Sequence, residues 1–545
     1  MIEQLPLERL ALWVEKRPNA VWLSQPVNGQ WHDVTWAQVD DQARRMAAAL
    51  HALGCSPGDR VALLSKNCAE WVIADLAIML AGLISVPLYP LQSAESINYV
   101  LHHSQCKVIF LGKLDEPAKL EPGITPELIR IAMPYPTIKA EHGWHALLAA
   151  HAPLLDAHVQ SADALLSILY TSGTTGQPKG VMLSAKAFAY AGSQSVKELQ
   201  ITEQDQYFSY LPLSHAAERF LVEMNALYSG GRIAFVESLE TFASDLRHVR
   251  PTVFFSVPRL WTRFQQGVLE KLPQAKLARL LRIPLIGSLV AGKIRKGLGL
   301  DRARILVSGA AAIPPALLEW YQSIGMTVCE GYGMTEHMAY GCFNRPGQVR
   351  FGTVGRPMPG NELRIADSGE ILLHCPSLML GYYLDPEKTA ETITDGWLHT
   401  GDKGEVDAAG FLKITGRVKD IFKTSKGKYI APAPIEGEIA KNLLVEQVCL
   451  MGSNLAQPLA LIELSPAARQ QAREHVAAEL LHTLQQLNAR LEAHERLSHF
   501  IVVREAWTVD NGCMTPTMKI RRNVLEGLFL DQLAALDAKQ PLHWQ

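Results

Sequence analysis

The chain has 545 residues, 48% of them hydrophobic and 19% charged, with a net charge of −2. At roughly 150 residues per domain, such a length predicts three or four folding units around ample cores, and the composition excludes general disorder. The balance of 52 basic against 54 acidic side chains gives no electrostatic ground for a nucleic-acid partner.

The first residues carry no basic run leading into an apolar stretch, so no secretory leader is expected. The most apolar stretch, residues 71–87, is about long enough for a marginal membrane span. Asp75 interrupts it and Gly82 and Pro87 break it, which predicts a buried helix followed by a strand. The eight cysteines, at 55, 68, 106, 329, 342, 375, 449 and 513, form no closely spaced pair. They are expected as reduced, mostly buried thiols in a cytoplasmic protein.

Strands are predicted at 165–170, 252–257 and 303–307. Each ends in a Gly, Ser or Pro cluster and is followed by a candidate helix. This alternation argues for an α/β fold with largely parallel strands, whose ligands gather at the loops leaving the carboxyl ends. From about Asn361 the texture shifts to short strands with Gly and Asp turns, predicting a β-rich part. After a charged loop at 416–420, a small final domain is expected, with strands at 448–451, 459–464 and 500–503. Its helix shows an apolar face of Ala472, Val476, Leu480, Leu484, Leu487 and Leu491, at ordinary core spacing.

Chemistry is concentrated in a few runs. Tyr170-Thr171-Ser172-Gly173-Thr174-Thr175-Gly176-Gln177-Pro178-Lys179-Gly180 follows a predicted strand. Its glycines let backbone N–H groups close around oxyanions, its hydroxyls add donors, and Lys179 adds a point charge. No Gly-Lys-Ser/Thr triplet closes it, so it is not a Walker A loop. Leu211-Pro212-Leu213-Ser214-His215-Ala216-Ala217-Glu218-Arg219 holds a histidine that alone reads as structural. Ser308-Gly309-Ala310-Ala311-Ala312-Ile313-Pro314 reads either as a tight turn or as small side chains that let a flat ligand approach. Glu330-Gly331-Tyr332-Gly333-Met334-Thr335-Glu336 lacks the third glycine of a dinucleotide fingerprint and has Glu336 there instead. Trp397-Leu398-His399-Thr400-Gly401-Asp402 and Gly416-Arg417 add an acid and a base in turns. Thr515-Pro516-Thr517-Met518-Lys519-Ile520-Arg521-Arg522 alone is a basic helix start.

Together and in order, from about residue 10 to about 525, these blocks resemble the adenylate-forming (AMP-binding) superfamily, and most of all its long-chain fatty acyl-CoA synthetases. The resemblance implies an α/β fold: a large domain of α/β sheets and helices at 1–416, with a β-rich subdomain at about 345–416, a hinge at 417–420, and a small mobile α+β lid at 421–545. It implies an acid–thiol ligase that converts a medium or long fatty acid and ATP to acyl-AMP and passes the acyl group to coenzyme A. A fatty acyl-AMP ligase serving a carrier protein and a β-lactone-forming relative share the first step and stand as alternatives. Implied catalytic residues are Lys519, His215, Thr335 and Glu336. His215 would orient the acid and gate entry of the thiol, and Lys519 would bridge the carboxylate and the α-phosphate. The nucleotide would be held by Thr171, Ser172, Gly173, Thr174, Thr175, Gly176 and Lys179, by Gly309, Ala310 and Ala311, and by Glu330, Gly331, Tyr332, Gly333 and Met334. Asp402 and Arg417 would meet the ribose, with Lys419 as the pivot, and Gly427 between Lys426 and Lys428 would reach the pantetheine tunnel. Thr174 and Glu336 would ligate Mg²⁺. Gly333, lacking a side chain, would leave a tunnel open beside the carboxylate, and chain length is not read. An amphiphilic substrate leaves peripheral membrane contact open, although no anchor is read in the sequence. Oligomeric state is not read.

Overall fold

In a strand, successive side chains point to opposite faces, and in the central strands of this protein both faces are apolar. In Val253–Ser256, Val253 and Phe255 enter one core and Phe254 another. Ile305 and Val307 against Leu306 repeat the division in Ile305–Ser308. In Arg60–Leu64, Val61 and Leu63 face one side and Ala62 and Leu64 the other. Strands buried on both faces require helices on both. The computed structural model, which describes residues 3–171, 177–515, 518–533 and 540–545, meets that requirement with two large sheets.

Among the described residues the first sheet has nine strands. Its parallel centre runs through Arg232–Phe235, Gln206–Ser209, Val253–Ser256, Ile305–Ser308 and Val328–Tyr332. Antiparallel strands Cys342–Phe343 and Arg356–Pro357 finish one edge, and the hairpin of Val21–Val27 with Gln30–Thr35 the other. The second sheet is parallel through Ile129–Ala132, Cys106–Leu111, Arg60–Leu64 and Ile84–Leu88. One core lies between the sheets and includes the helices Trp36–Ala52, Ala69–Leu80 and Ala185–Glu198. Further helices cover the outer faces, giving five layers.

The apolar stretch at 71–87 becomes the helix Ala69–Leu80, buried throughout except at Glu70, and the strand Ile84–Leu88. Two sequence expectations shift. The strand expected at 303–307 is Ile305–Ser308, because Arg304 is drawn to Asp205, which accepts from its Nε at 2.9 Å. The strand Leu165–Thr171 is followed not by a helix but by a second strand, Lys179–Ser184, pairing antiparallel with it at Tyr170–Gly180 and Thr171–Lys179. The hydroxyl-rich loop therefore closes a β-hairpin.

The β-rich part is an antiparallel sheet of Glu362–Ile365, Glu370–His374, Trp397–Val406, Ile393–Thr394 and Leu412–Arg417, with its own core of Cys342, Ile371, Leu373, Leu398 and Leu412. The smaller C-terminal domain holds the sheet Val445–Met451, Leu459–Leu464, Phe500–Val502 and Leu542–Trp544. The helix Arg473–Asn488 buries Val476, Leu480, Leu484 and Leu487 as their spacing predicts; Ala472 and Leu491 flank its ends. Of the eight free cysteines, Cys106 is half-buried and the other seven are buried. Among the described residues no helix is long and apolar enough to cross a membrane.

Candidate active site

Parallel strands bring the candidate loops to one edge. The loop after Ile305–Ser308 holds Gly309, Ala310 and Ala311, and Ser308 is in register with Glu330 of Val328–Tyr332. Ala310 stands at φ +67° and is exposed with Ala311, so a short side chain in a left-handed turn leaves this loop open to solvent. Glu330 is buried; desolvation pushes its carboxyl up to about 8 against a bond from the Ile313 backbone. Gly331 continues the strand as the partner of Phe343. A Cβ on Gly333 would lie 2.4 Å from the Ala339 carbonyl oxygen. The glycine is therefore required by backbone packing, and the space expected beside it is occupied by Ala339.

Four separate segments build a charged cluster beyond Tyr332. Its hydroxyl donates to Asp402 Oδ2 at 2.7 Å, and Arg417 Nε lies 2.9 Å from Asp402 Oδ1, so the carboxylate is held from both sides. Met334 begins a tight turn whose N–H donates to His337 Nε2 at 3.3 Å, and that turn presents Thr335 and Glu336. Glu336 is buried and accepts from the Tyr382 hydroxyl at 2.8 Å. Burial raises its pKa, and the charges of Lys519 and Arg417 oppose that rise. Tyr382 arrives on the strand Gly381–Tyr382, which pairs with Val181 and Met182 of the loop hairpin. Lys179 stands over its ring at 5.5 Å, its pKa lowered first by desolvation and then by Lys388. Thr171 and Lys179 thus bracket the loop, whose Ser172, Gly173, Thr174, Thr175 and Gly176 lie outside the described residues.

His215 is set by a buried scaffold. Its Nδ1 accepts from the Ala217 N–H at 3.1 Å, which places the ring proton on Nε2, and burial lowers its pKa to about 4 with Lys519 adding to the effect. Asn67 pins the preceding loop: Leu213 N–H donates to its Oδ1 at 3.1 Å, and its Nδ2 donates to the Leu211 carbonyl at 2.6 Å. Glu218 accepts from Ser209 Oγ at 2.9 Å and from the Tyr210 N–H at 3.2 Å, and burial pushes it up to about 8. Arg219 opens a π-helical turn, Arg219–Met224, and is wholly buried. It pairs with Asp75, donates to Glu223 at 3.0 Å and to Ser167 Oγ at 3.1 Å, and lies over Trp71 and Phe188.

Lys519 comes from the smaller domain on a turn in which its N–H donates to Thr515 Oγ1 at 3.0 Å. The residue is exposed. Desolvation and Arg417 lower its pKa, while Asp402 and Glu336 oppose the fall. Lys519 is therefore close enough for its charge to act on His215 and Glu336, and Arg417 and Asp402 act on Lys519 in turn. Lys419, in the turn after Arg417, is close enough for its charge to act on Lys179. Gly427 is the candidate left outside the cluster. It sits at φ +78° in the exposed turn between Phe422–Lys423 and Tyr429–Ile430, a ribbon bonded to Leu455 of its own domain. Sequence reasoning missed Asn67, Tyr382 and the Arg219 partners; the one signal available was Asp75, an acid inside an apolar run.

A family model described as AMP-binding enzyme matches residues 10–383, and one described as AMP-binding enzyme C-terminal domain matches residues 419–540. The chain belongs to the AMP-binding enzyme family. This AMP-binding enzyme is 30% identical to a long-chain-fatty-acid–CoA ligase of Mycobacterium bovis, over 96% of this chain and 95% of the relative. It is 32% identical to long-chain-fatty-acid–CoA ligase 1 of Cavia porcellus, over 92% of this chain and 82% of the relative. Among solved structures, the anthranilate CoA ligase AuaEII in complex with anthranoyl-AMP superposes with a TM-score of 0.81 at 24% identity, covering 98% of this chain and 99% of that one.

Proposed function

We propose that this protein is an AMP-forming fatty acyl-CoA synthetase. What carries the reading is that Lys519, from the smaller domain, comes within electrostatic reach of Glu336, Asp402, Arg417 and His215 of the larger one. Both relatives above are named for long-chain fatty acids and CoA, which supports the same substrates here.

In the first step a fatty acid carboxylate oxygen attacks the α-phosphorus of ATP, an acyl–O–P bond forms and pyrophosphate leaves. Asp402, held by Tyr332 and Arg417, accepts from the ribose hydroxyls. Neutral His215 offers Nε2–H to the carboxylate without neutralising it. Lys519 supplies a point charge on a long stem where negative charge gathers between carboxylate and phosphate. Thr335 reaches the α-phosphate from the turn that also carries Glu336. Glu336 suits Mg²⁺, because a single desolvated carboxylate matches an ion that takes its other ligands from water and phosphate oxygens. With Thr174 it would hold that ion, which neutralises phosphate charge when bound.

In the second step the thiol sulfur of CoA attacks the acyl carbon, AMP leaves and the thiol proton is lost. Residues 417–420 form the hinge between a large domain at 1–416 and the lid at 421–545. Rotation about Lys419 withdraws Lys519 and carries the Gly427 turn toward the cleft. The test is AMP release from Mg-ATP with carboxylic acids from acetate to oleate, with and without CoA. CoA-dependent release with a maximum at one chain length is expected. Pyrophosphate release with acyl-AMP retained whether or not CoA is present would overturn the acceptor.

A further inference from the structure

Residues 271–300 contain seven basic side chains and not one acidic, in a chain whose net charge is −2. The segment forms two helices, Gln274–Leu281 and Ile286–Leu298, joined by a short turn. Gly287 closes that turn, since a Cβ there would lie 2.5 Å from the Leu281 carbonyl oxygen. The inner face is fully accounted for. Leu277 and Ala291 are buried in the core with Phe254 and Leu306, and Leu281, Val290, Ile294 and Leu298 pack around them. Trp320 Nε1 donates to Gln274 at 3.1 Å and Arg295 to the Ile324 carbonyl at 3.2 Å, anchoring both helices to the body.

The tip is different. Leu285 is 82% exposed and Leu289 73%, with Ile283 and Ile286 exposed beside them. Leu285 stands at φ +65°, a conformation that L side chains rarely adopt, so backbone strain is accepted at a bulky apolar residue facing water. Lys276, Arg279, Lys293 and Lys296 on the same helices and Arg282 in the turn between them are exposed, and among the described residues none of the five has an ion-pair partner. At about 1.5 Å of rise per residue, Lys276 and Lys293 lie within about 10 Å of the tip-side ends of their helices, Leu281 and Ile286, comparable to the depth over which headgroups meet acyl chains.

We propose that this helical hairpin docks the protein on an anionic lipid surface, the apolar tip entering the acyl boundary and the basic side chains meeting headgroup phosphates. The absence of acids fits a negative surface, and a two-fold dimer would instead set this basic patch against itself. The docking gains its purpose from the fatty-acid reading, because the substrate partitions into bilayers; its geometry is independent of that reading.

The test is co-sedimentation with vesicles of phosphatidylcholine alone and of phosphatidylcholine mixed with phosphatidylglycerol. Binding to the mixed vesicles is expected, weakened by salt. Leu285→Ser with Leu289→Ser should lower partitioning at least about tenfold. Arg279→Gln with Arg282→Gln should lower it about thirtyfold. Both double variants should release AMP from Mg-ATP and micelle-free octanoate as the parent does. No binding to mixed vesicles, or equal binding by the variants, would overturn the proposal. So would an oligomer that Leu285→Ser with Leu289→Ser dissolves, or binding of an acidic protein by the same tip with vesicles ignored. Vesicle binding without AMP release from any carboxylate would sink the function and leave the docking surface; the converse would do the reverse.

Discussion

His215 faces the site as a neutral donor because desolvation and the charge of Lys519 act in the same direction, lowering its pKa from 6.5 to about 4. A histidine with a lowered folded pKa stays unprotonated while exposed histidines titrate. The His215 ring signals should therefore remain constant from about pH 8 to about pH 5, as read by nitrogen-edited NMR. A midpoint near that of a free histidine would show that the ring is solvated, and its proposed role as a neutral donor would fall. Lys519 poses a different question, since the proposed mechanism uses it in one half-reaction only. Lys519→Ala should abolish adenylate formation, by roughly a hundredfold or more, and spare thioester formation from preformed acyl-AMP and CoA. Equal loss of both steps in single-turnover assays would refute that division.

The segment that carries His215 is held in place by groups far from it in sequence. Arg219 is buried between Asp75 and Glu223 while Trp71 and Phe188 face its guanidinium, so the helix Ala69–Leu80 and the π-helical turn Arg219–Met224 are tied together. π-helical turns recur at functional sites because they re-aim the residues around them. Removing the cation leaves buried acids facing each other in a dry interior. Arg219→Ala should cost about 3–5 kcal/mol in the first urea transition, far more than an exposed arginine would. A cost below about 1 kcal/mol would show that water reaches the network.

At the scale of the molecule, the approach of Lys519 to Glu336 and His215 depends on how the two domains meet. Arg259, on the helix Pro258–Lys271, pairs with Glu446 of the smaller domain, and Arg263 lies 3.7 Å from the same carboxylate. These contacts belong to the arrangement that inserts Lys519. The arginines are partly exposed, so the pairs contribute at most about 1 kcal/mol. Glu446→Gln should therefore slow adenylation by up to about fivefold and leave thioester formation from preformed acyl-AMP unchanged or faster. Slowing of both half-reactions alike would mean that Glu446 supports the fold rather than the domain arrangement.

Local chemistry was legible in the sequence wherever a residue acts through its own backbone or charge. Examples are the acid ending the 330–336 block, the lone lysine at 519, and the core face of the helix Arg473–Asn488. The alternation of apolar runs with helical patterns likewise determined an α/β fold. Pairing across long separations was not legible, because many partners satisfy a buried charge or a strand edge equally well. Asp75 could be read only as an interruption until Arg219 lay against it, 144 residues away. Gly333 was open space until the Ala339 backbone filled it, and the run after Thr171 pointed to a helix until Lys179–Ser184 folded back on its neighbour. By itself the sequence determined which chemical groups this protein brings to its cleft. Only the tertiary structure decided which of them meet, because burial, and with it the cost of leaving a charge unpaired, comes into being when the layers close.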